Sequence, residues 1–304
     1  MTDLAFNAGA TPSAHRIVDA PLEPPSAHQG LLSVFHRRYL LKLLVLREVS
    51  ARYQGSVLGL LWSYINPLSQ FFIYWFVMGH VIGAHKGVEN YAIHVFSGFI
   101  VVHFFTETFS AGTRSIVRNK SLVQKMAVPR EMFPVASMLV SLYHVGPQLV
   151  ILVIASICMG WTPDATGIVA IVLALLIIMV LGTALALLFS VANVYFRDFS
   201  SLVSILTHFV RFGVPMIFTY EMIKERFSDF LFLVEWEPIA DAVLLMQRAF
   251  WVGTTSDPAE TIRTGLPSHL LERGVIVLVA SIIVLALSQL AFSRFERRIP
   301  DSLR

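Results

Sequence analysis

The chain has 304 residues, of which 56% are hydrophobic and 14% charged, against roughly 25% charged in soluble domains. With a mean hydropathy of +0.69, too little polar surface exists to cover the apolar mass of a soluble fold, and the composition points to a multi-span helical membrane protein. A net charge of only +3 argues against a nucleic-acid partner, and the single cysteine, Cys158, rules out an intrachain disulfide.

In chain order, residues 1–32 are rich in Ala, Pro, Ser and His. They lack the basic start and apolar core of a signal peptide and are expected to form a disordered cytoplasmic tail. Residues 33–56 read as an interfacial helix. Its Leu40–Arg52 stretch is leucine-rich but interspersed with Lys42, Arg47, Glu48 and Arg52, too charged to span and only loosely amphipathic. Residues 57–294 are expected to hold a transmembrane domain, followed by a short cytoplasmic tail at 295–304.

A bilayer core of about 30 Å needs about 20 apolar residues as helix. Six windows fit: Val57–Ile82, Tyr91–Phe109, Phe133–Met159, Ile168–Val191, Phe199–Tyr220 and Gly274–Ser293. Gly55-x-x-x-Gly59 and Gly79-x-x-x-Gly83 read as helix-packing patterns. Glu107 lies near the end of the second window and Arg211 in the middle of the fifth. An arginine facing lipid would cost about 2.5–3.5 kcal/mol. Arg211 is therefore expected to face protein or a wet pathway and to meet an anion, either Glu107 or a substrate phosphate. Arg114–Glu131 reads as a short basic helix closed by Pro129. Phe230–Val234 and Ile239–Trp251, apolar but too short to cross, read as re-entrant helices.

Lys and Arg concentrate before the first window, between the second and third, and after the sixth; on the other side the first loop has only Lys86, the Gly160–Thr166 loop has none, and the long segment before the last window has five against nine acidic residues. The positive-inside rule places both termini in the cytoplasm, in agreement with an even number of spans. Chemistry-bearing motifs are few. The chain has no G-x-x-x-x-G-K-[ST], no H-E-x-x-H and no Cys/His metal spacing, so no ATP hydrolysis and no metal site is expected of it.

Three basic or polar segments carry a family resemblance. They are Arg47, Arg52-Tyr53, Ser56, Leu58-Gly59, Trp62 and Pro67 at the entrance to the first span; Pro129-Arg130-Glu131 with Pro134 before the third; and Tyr195, Arg197 and Asp198 after the fourth. In that order, with six spans, they resemble the transmembrane subunits of ABC-2 type polysaccharide exporters, the Wzm-like permeases and their teichoic-acid and capsule relatives, over roughly residues 35 to 300. Glu48 stands where the family usually has aspartate, a mild departure.

The resemblance implies an all-α integral membrane protein of the bacterial inner membrane, with six transmembrane helices, an interfacial helix, a coupling helix and re-entrant helices before the last span. It implies a pair of permease chains served by a separate ABC ATPase subunit that holds ATP and Mg, no cofactor being expected in this chain. The cargo would be a lipid-linked polysaccharide on a polyprenyl-pyrophosphate carrier. Arg118, Asn119, Lys120, Leu122, Lys125, Pro129, Arg130 and Glu131 would couple to the ATPase. Arg37, Arg38, Arg47, Glu48, Arg52 and Tyr53 would form the interfacial helix and entrance, with Arg37, Arg38 and Arg47 placed to receive the pyrophosphate. Tyr195, Arg197 and Asp198 would mark the inner end of the fourth span, and Glu107 and Arg211 the pathway. The competing expectations are an ABC-2 exporter of a drug or small lipid, and a membrane-embedded glycosyl- or acyltransferase, which would need a polar cluster at one membrane depth.

Overall fold

Among the residues that the computed structural model describes (30–81, 83, 87–125, 128–226 and 231–296), the chain is helical throughout and has no strand. The expected tails fall almost wholly outside those residues. Four helices are long and apolar enough to cross a bilayer: α4 (Tyr91–Arg118), α6 (Met132–Cys158), α7 (Ala165–Tyr195) and α13 (Leu270–Phe295). Three of them match the third, fourth and sixth windows closely, because each is a charge-free apolar run bounded by a turn or a cap. Asp164 caps α7, its side chain accepting from the Gly167 N–H at 2.9 Å.

Helix α4 is the central element, buried along nearly its whole length. It runs to Arg118, well past the expected end at Phe109. Small residues allow this. A Cβ on Gly112 would overlap the Cβ of Ala186 on α7, and a Cβ on Gly182 would sit 3.0 Å from Thr108, so the two backbones approach closely. The Thr113 and Ser115 hydroxyls donate back to the Phe109 and Gly112 carbonyls, which satisfies these two buried hydroxyls within α4 itself. Glu107 therefore lies inside the helix, and the expected Arg114–Glu131 helix is split. Arg114 and Arg118 belong to α4, and a separate six-residue helix, α5 (Lys120–Lys125), follows.

The expected interfacial helix is also two: α1 (Leu31–His36) and α2 (Arg38–Tyr53). The first window is not a regular α-helix. After α3 (Trp62–Phe72) the winding loosens into a π segment, Ile73–Val81. Gly55 and Gly59 have φ of +78° and +47° with nothing within 4 Å of a built Cβ. They make the turn between α2 and α3, which needs left-handed backbone, and pack no helix.

The fifth window is broken. Helix α8 (Phe199–Gly213) is 15 residues long, about 22 Å at 1.5 Å per residue and short of a crossing. Non-helical Val214–Thr219 follows, and then α9 (Tyr220–Arg226) and α10 (Leu231–Glu235). Freed carbonyls inside an apolar bundle must find donors. The Gln247 amide donates to Pro215 O at 2.8 Å, and the Tyr91 hydroxyl to Ile217 O at 3.2 Å. Gln247 belongs to α11 (Pro238–Phe250), a 13-residue helix almost entirely buried among α4, α7 and α13. After α11 the chain makes a turn and α12 (Pro258–Gly265) before entering α13. That turn is laced to its neighbours: Trp251 Nε1 donates to Glu89 O at 2.7 Å, Thr162 N to Gly253 O at 2.9 Å, and Arg248 pairs with Asp164 at 2.6 Å.

Candidate functional site

The basic end of the bundle is organised by α2. Its Arg47 donates to Asn119 Oδ1 at 3.3 Å, and its Glu48 accepts from Asn119 Nδ2 at 3.3 Å and from Arg118 at 2.6 Å. Further along, Arg52 pairs with Glu107 at 2.7 Å. The partners step along α4 from 119 to 107, about 18 Å of helix, as α2 runs from 47 to 52. Helix α2 thus reaches α4 through its long side chains, while its backbone packs chiefly on α6. The two expected groups, entrance and coupling residues, are brought into direct contact through Asn119.

Beside this clamp, α5 buries Val123 and partly buries Leu122 against Val34, Leu44, Met132 and Phe133, leaving Ser121, Gln124 and Lys125 facing outward. Arg130 donates to the Glu296 carbonyl and lies 3.9 Å from its carboxylate; Glu131 accepts from Gln289 at 3.1 Å, and Tyr195 donates to Phe295 O at 3.0 Å. Pro129-Arg130-Glu131 and Tyr195 therefore hold the basic end of α13. Arg197 and Asp198 are exposed and make no ion pair among the described residues.

Where α2 meets α3, α4, α6 and α8 lies a cavity of about 550 Å³. Its wall combines the cations Arg52 and Arg211, the amides Asn66, Gln70 and Gln148, the hydroxyls of Tyr53, Ser56 and Ser63, the imidazoles His103 and His144, and the rings of Trp62 and Phe99. These groups are tied to one another. Tyr53 bonds to the Ser63 hydroxyl and to His144 Nδ1 at 3.2 Å, His103 Nδ1 lies 3.1 Å from the Gln148 amide nitrogen, and Phe99 stacks on His103 with centroids 5.5 Å apart. Gln148 Oε1 and His144 Nε2 are buried without a hydrogen-bond partner among the described residues, so the wall retains capacity for a ligand's hydroxyls.

Arg211 sits in the last turn of the broken α8, where the carbonyl end of the helix favours a cation. Among the described residues it makes no ion pair; of the two anions expected for it, Glu107 or a substrate phosphate, Glu107 is taken by Arg52. Arg37, Arg38 and Arg47 do not converge either. Arg38 faces a groove against α6, while Arg47 is committed to Asn119.

A membrane-embedded unit with a short helix buried at its heart, a small helix at a basic end and a polar cavity between spans matches the ABC-2 type transporter family over residues 39–236. The chain belongs to that family. It is similar to two O-antigen export system permease proteins RfbA of Klebsiella pneumoniae, 26% and 24% identical over 219 and 218 residues, each covering 71% of this chain and 83% or 82% of the relative. It is also similar to the O-antigen export system permease protein RfbA of Myxococcus xanthus, 26% identical over 200 residues, 66% of this chain and 76% of the relative. This ABC-2 chain is thus a multi-pass transporter membrane subunit, in keeping with its four apolar helices.

The cavity of this ABC-2 chain includes residues that the sequence reading passed over. His144 and Gln148 on α6, and Asn66 and Gln70 on α3, are each four residues apart, as is His103 on α4 from the expected pathway residue Glu107, a spacing that stacks each pair on one helix face. Polar pairs at that spacing inside apolar spans were the available signal. A second polar group missed by that reading joins Glu235, Asp241 and Arg273. Arg273 lies 3.8 Å from Glu235 and 3.7 Å from Asp241, whose carboxylate is fully buried.

Proposed function

We propose that the chain is the permease subunit of an ABC exporter that moves a polyprenyl-pyrophosphate-linked cell-envelope polysaccharide across the bacterial inner membrane. ATP and Mg are held by a separate ATPase, and a second copy of this permease completes the pathway. The observation that carries this reading is the cavity at Arg52 and Arg211, in a family whose relatives above are named for O-antigen export. Its amides, hydroxyls and aromatic rings suit sugar rings and their hydroxyls, and Arg211 offers an uncommitted cation to a phosphate.

In this reading the basic end faces the cytoplasm. The α3–π segment and the α8–α9 region act as the first and fifth of six crossings, α10 and α11 form a re-entrant hairpin on the outer side, and the outward face of α5 meets the ATPase. Movement of α5 reaches the cavity through Asn119, Arg47 and Glu48, because these residues tie α2 to α4 and α2 also supplies Arg52 and Tyr53 to the cavity wall. A membrane-embedded transferase is the second reading, since the cavity groups polar residues at one depth; its Glu107, however, is already paired with Arg52.

Depletion of the protein followed by localisation of lipid-linked glycan tests the proposal. Long glycan accumulating on the cytoplasmic face of the inner membrane is the expected result, and sugar analysis then identifies the cargo. Shortened chains that still reach the outer face would reject export and favour the transferase.

A further inference from the structure

A groove of about 460 Å³ runs between α2 and α6, separate from the cavity. Its floor is apolar, built by Leu41 and Val45 of α2 and Leu139 and Leu142 of α6, and Arg38 and Lys42 stand on its rim. Positions 38, 41, 42 and 45 are spaced three and four apart, so they share one face of α2. Arg47 lies nine residues beyond Arg38, on the opposite face, where it bonds to Asn119. Among the described residues, neither Arg38 nor Lys42 makes an ion pair or a hydrogen bond, and both are exposed.

Depth and charge agree on an occupant. Leu139 and Leu142 lie seven and ten residues, about 10–15 Å, along α6 from its start at Met132, the basic end that the proposed function places at the cytoplasmic surface. Neighbouring Leu32, Phe35 and Tyr39 are two-thirds or more exposed, so this flank is apolar outside the groove as well. A ligand that fits has an anionic head at the rim and a hydrocarbon chain along the floor. The inner leaflet supplies that chemistry, and basic side chains at its surface attract anionic lipids.

We propose that the α2–α6 groove binds one anionic phospholipid of the inner leaflet, its phosphate held between Arg38 and Lys42 and one acyl chain lying over Leu41, Val45, Leu139 and Leu142. The bound lipid wedges α2 against α6 on the face opposite the Asn119 clamp. The site is independent of the transported cargo.

Native mass spectrometry of the full chain in detergent, titrated with phosphatidylglycerol or with phosphatidylcholine of the same acyl chains, tests the site. The wild type is expected to retain one phosphatidylglycerol in preference to phosphatidylcholine. The R38Q/K42Q pair should lower that affinity about thirty-fold, or about 2 kcal/mol at 1.4 kcal/mol per tenfold. R38K/K42R should keep it, and K224Q, a basic residue remote from the groove, should leave it unchanged. A circular dichroism melt confirms that the variants are folded. Equal retention of the two lipids by the wild type, or undiminished phosphatidylglycerol binding by R38Q/K42Q, would overturn the proposal. So would displacement by glycerol phosphate at the same concentration as by the diacyl lipid, since that would reduce the site to a phosphate contact.

Discussion

Asn119 does more at the basic end than its size suggests. Its amide accepts from Arg47, donates to Glu48 and donates again to the Ser115 carbonyl at 3.0 Å, all from a side chain that is nearly fully buried. Removing it leaves two charged partners of α2 short of a bond, and a lost buried partner costs about 1–3 kcal/mol. Asn119→Ala is therefore expected to lower stability by that amount in a thermal or chemical melt, whereas Lys125→Ala, on the outward face of α5, should leave stability unchanged and reduce ATPase-coupled transport. Equal melts for wild type and Asn119→Ala would remove Asn119 from the α2–α4 connection. Asn119 and Glu48 were legible in the sequence as members of motifs. Their mutual contact was not, because residues 71 apart in the chain meet only in the folded bundle.

At the scale of elements, two helix contacts define the bundle. Gly112 lets α4 and α7 touch, and Gly112→Leu would force bulk onto Ala186; overpacking of this kind costs about 1–3 kcal/mol or more. Poor assembly of that variant, read by size-exclusion chromatography, is the expected outcome, while normal assembly would show that the two helices can separate. The second contact is the start of α7. There Asp164 is exposed, and although its slight desolvation opposes ionisation, the Arg248 guanidinium, the Thr166 hydroxyl and the Gly167 N–H hold its carboxyl below the usual carboxylate range. A depressed pKa adds stability above the unfolded value, near 3.9, and that contribution disappears as pH falls through the lower folded value. The stability difference between wild type and Asp164→Ala, about 1 kcal/mol for a lost cap, should thus hold from pH 8 to pH 5 and vanish in strong acid. A difference that grows on acidification would contradict the assigned cap. The helices easiest to read in the sequence, α6, α7 and α13, are uniform apolar runs that need nothing from their neighbours. The break after Gly213 escaped the same reading because its carbonyls depend on Gln247 and Tyr91, 32 and 126 residues away from the carbonyls they serve. Hydropathy sees an apolar window there and has no means of seeing the donors.

For the whole molecule, the polar cavity and the α5 surface belong to one connected unit. Helix α2 contributes Arg52 and Tyr53 to the cavity, Arg47 and Glu48 to the clamp, and Arg38 and Lys42 to the groove. In the proposed transport cycle, motion of α5 would pass to the cavity wall through α2. Glu107 illustrates the same economy: it neutralises Arg52, so Arg211 is left as the cavity's uncommitted cation. The sequence marked both residues as charges inside spans and left Glu107 or a substrate phosphate as the anion for Arg211; Glu107 pairs with Arg52 instead. The measurement closest to the central claim is translocation of lipid-linked glycan in membrane vesicles that carry this permease with its ATPase, comparing wild type, Arg211→Lys and Arg211→Gln at equal assembly. The cavity account predicts that Arg211→Gln loses at least about tenfold in rate, equivalent to about 1.4 kcal/mol, and that Arg211→Lys retains most of it. Wild-type translocation by Arg211→Gln would contradict it.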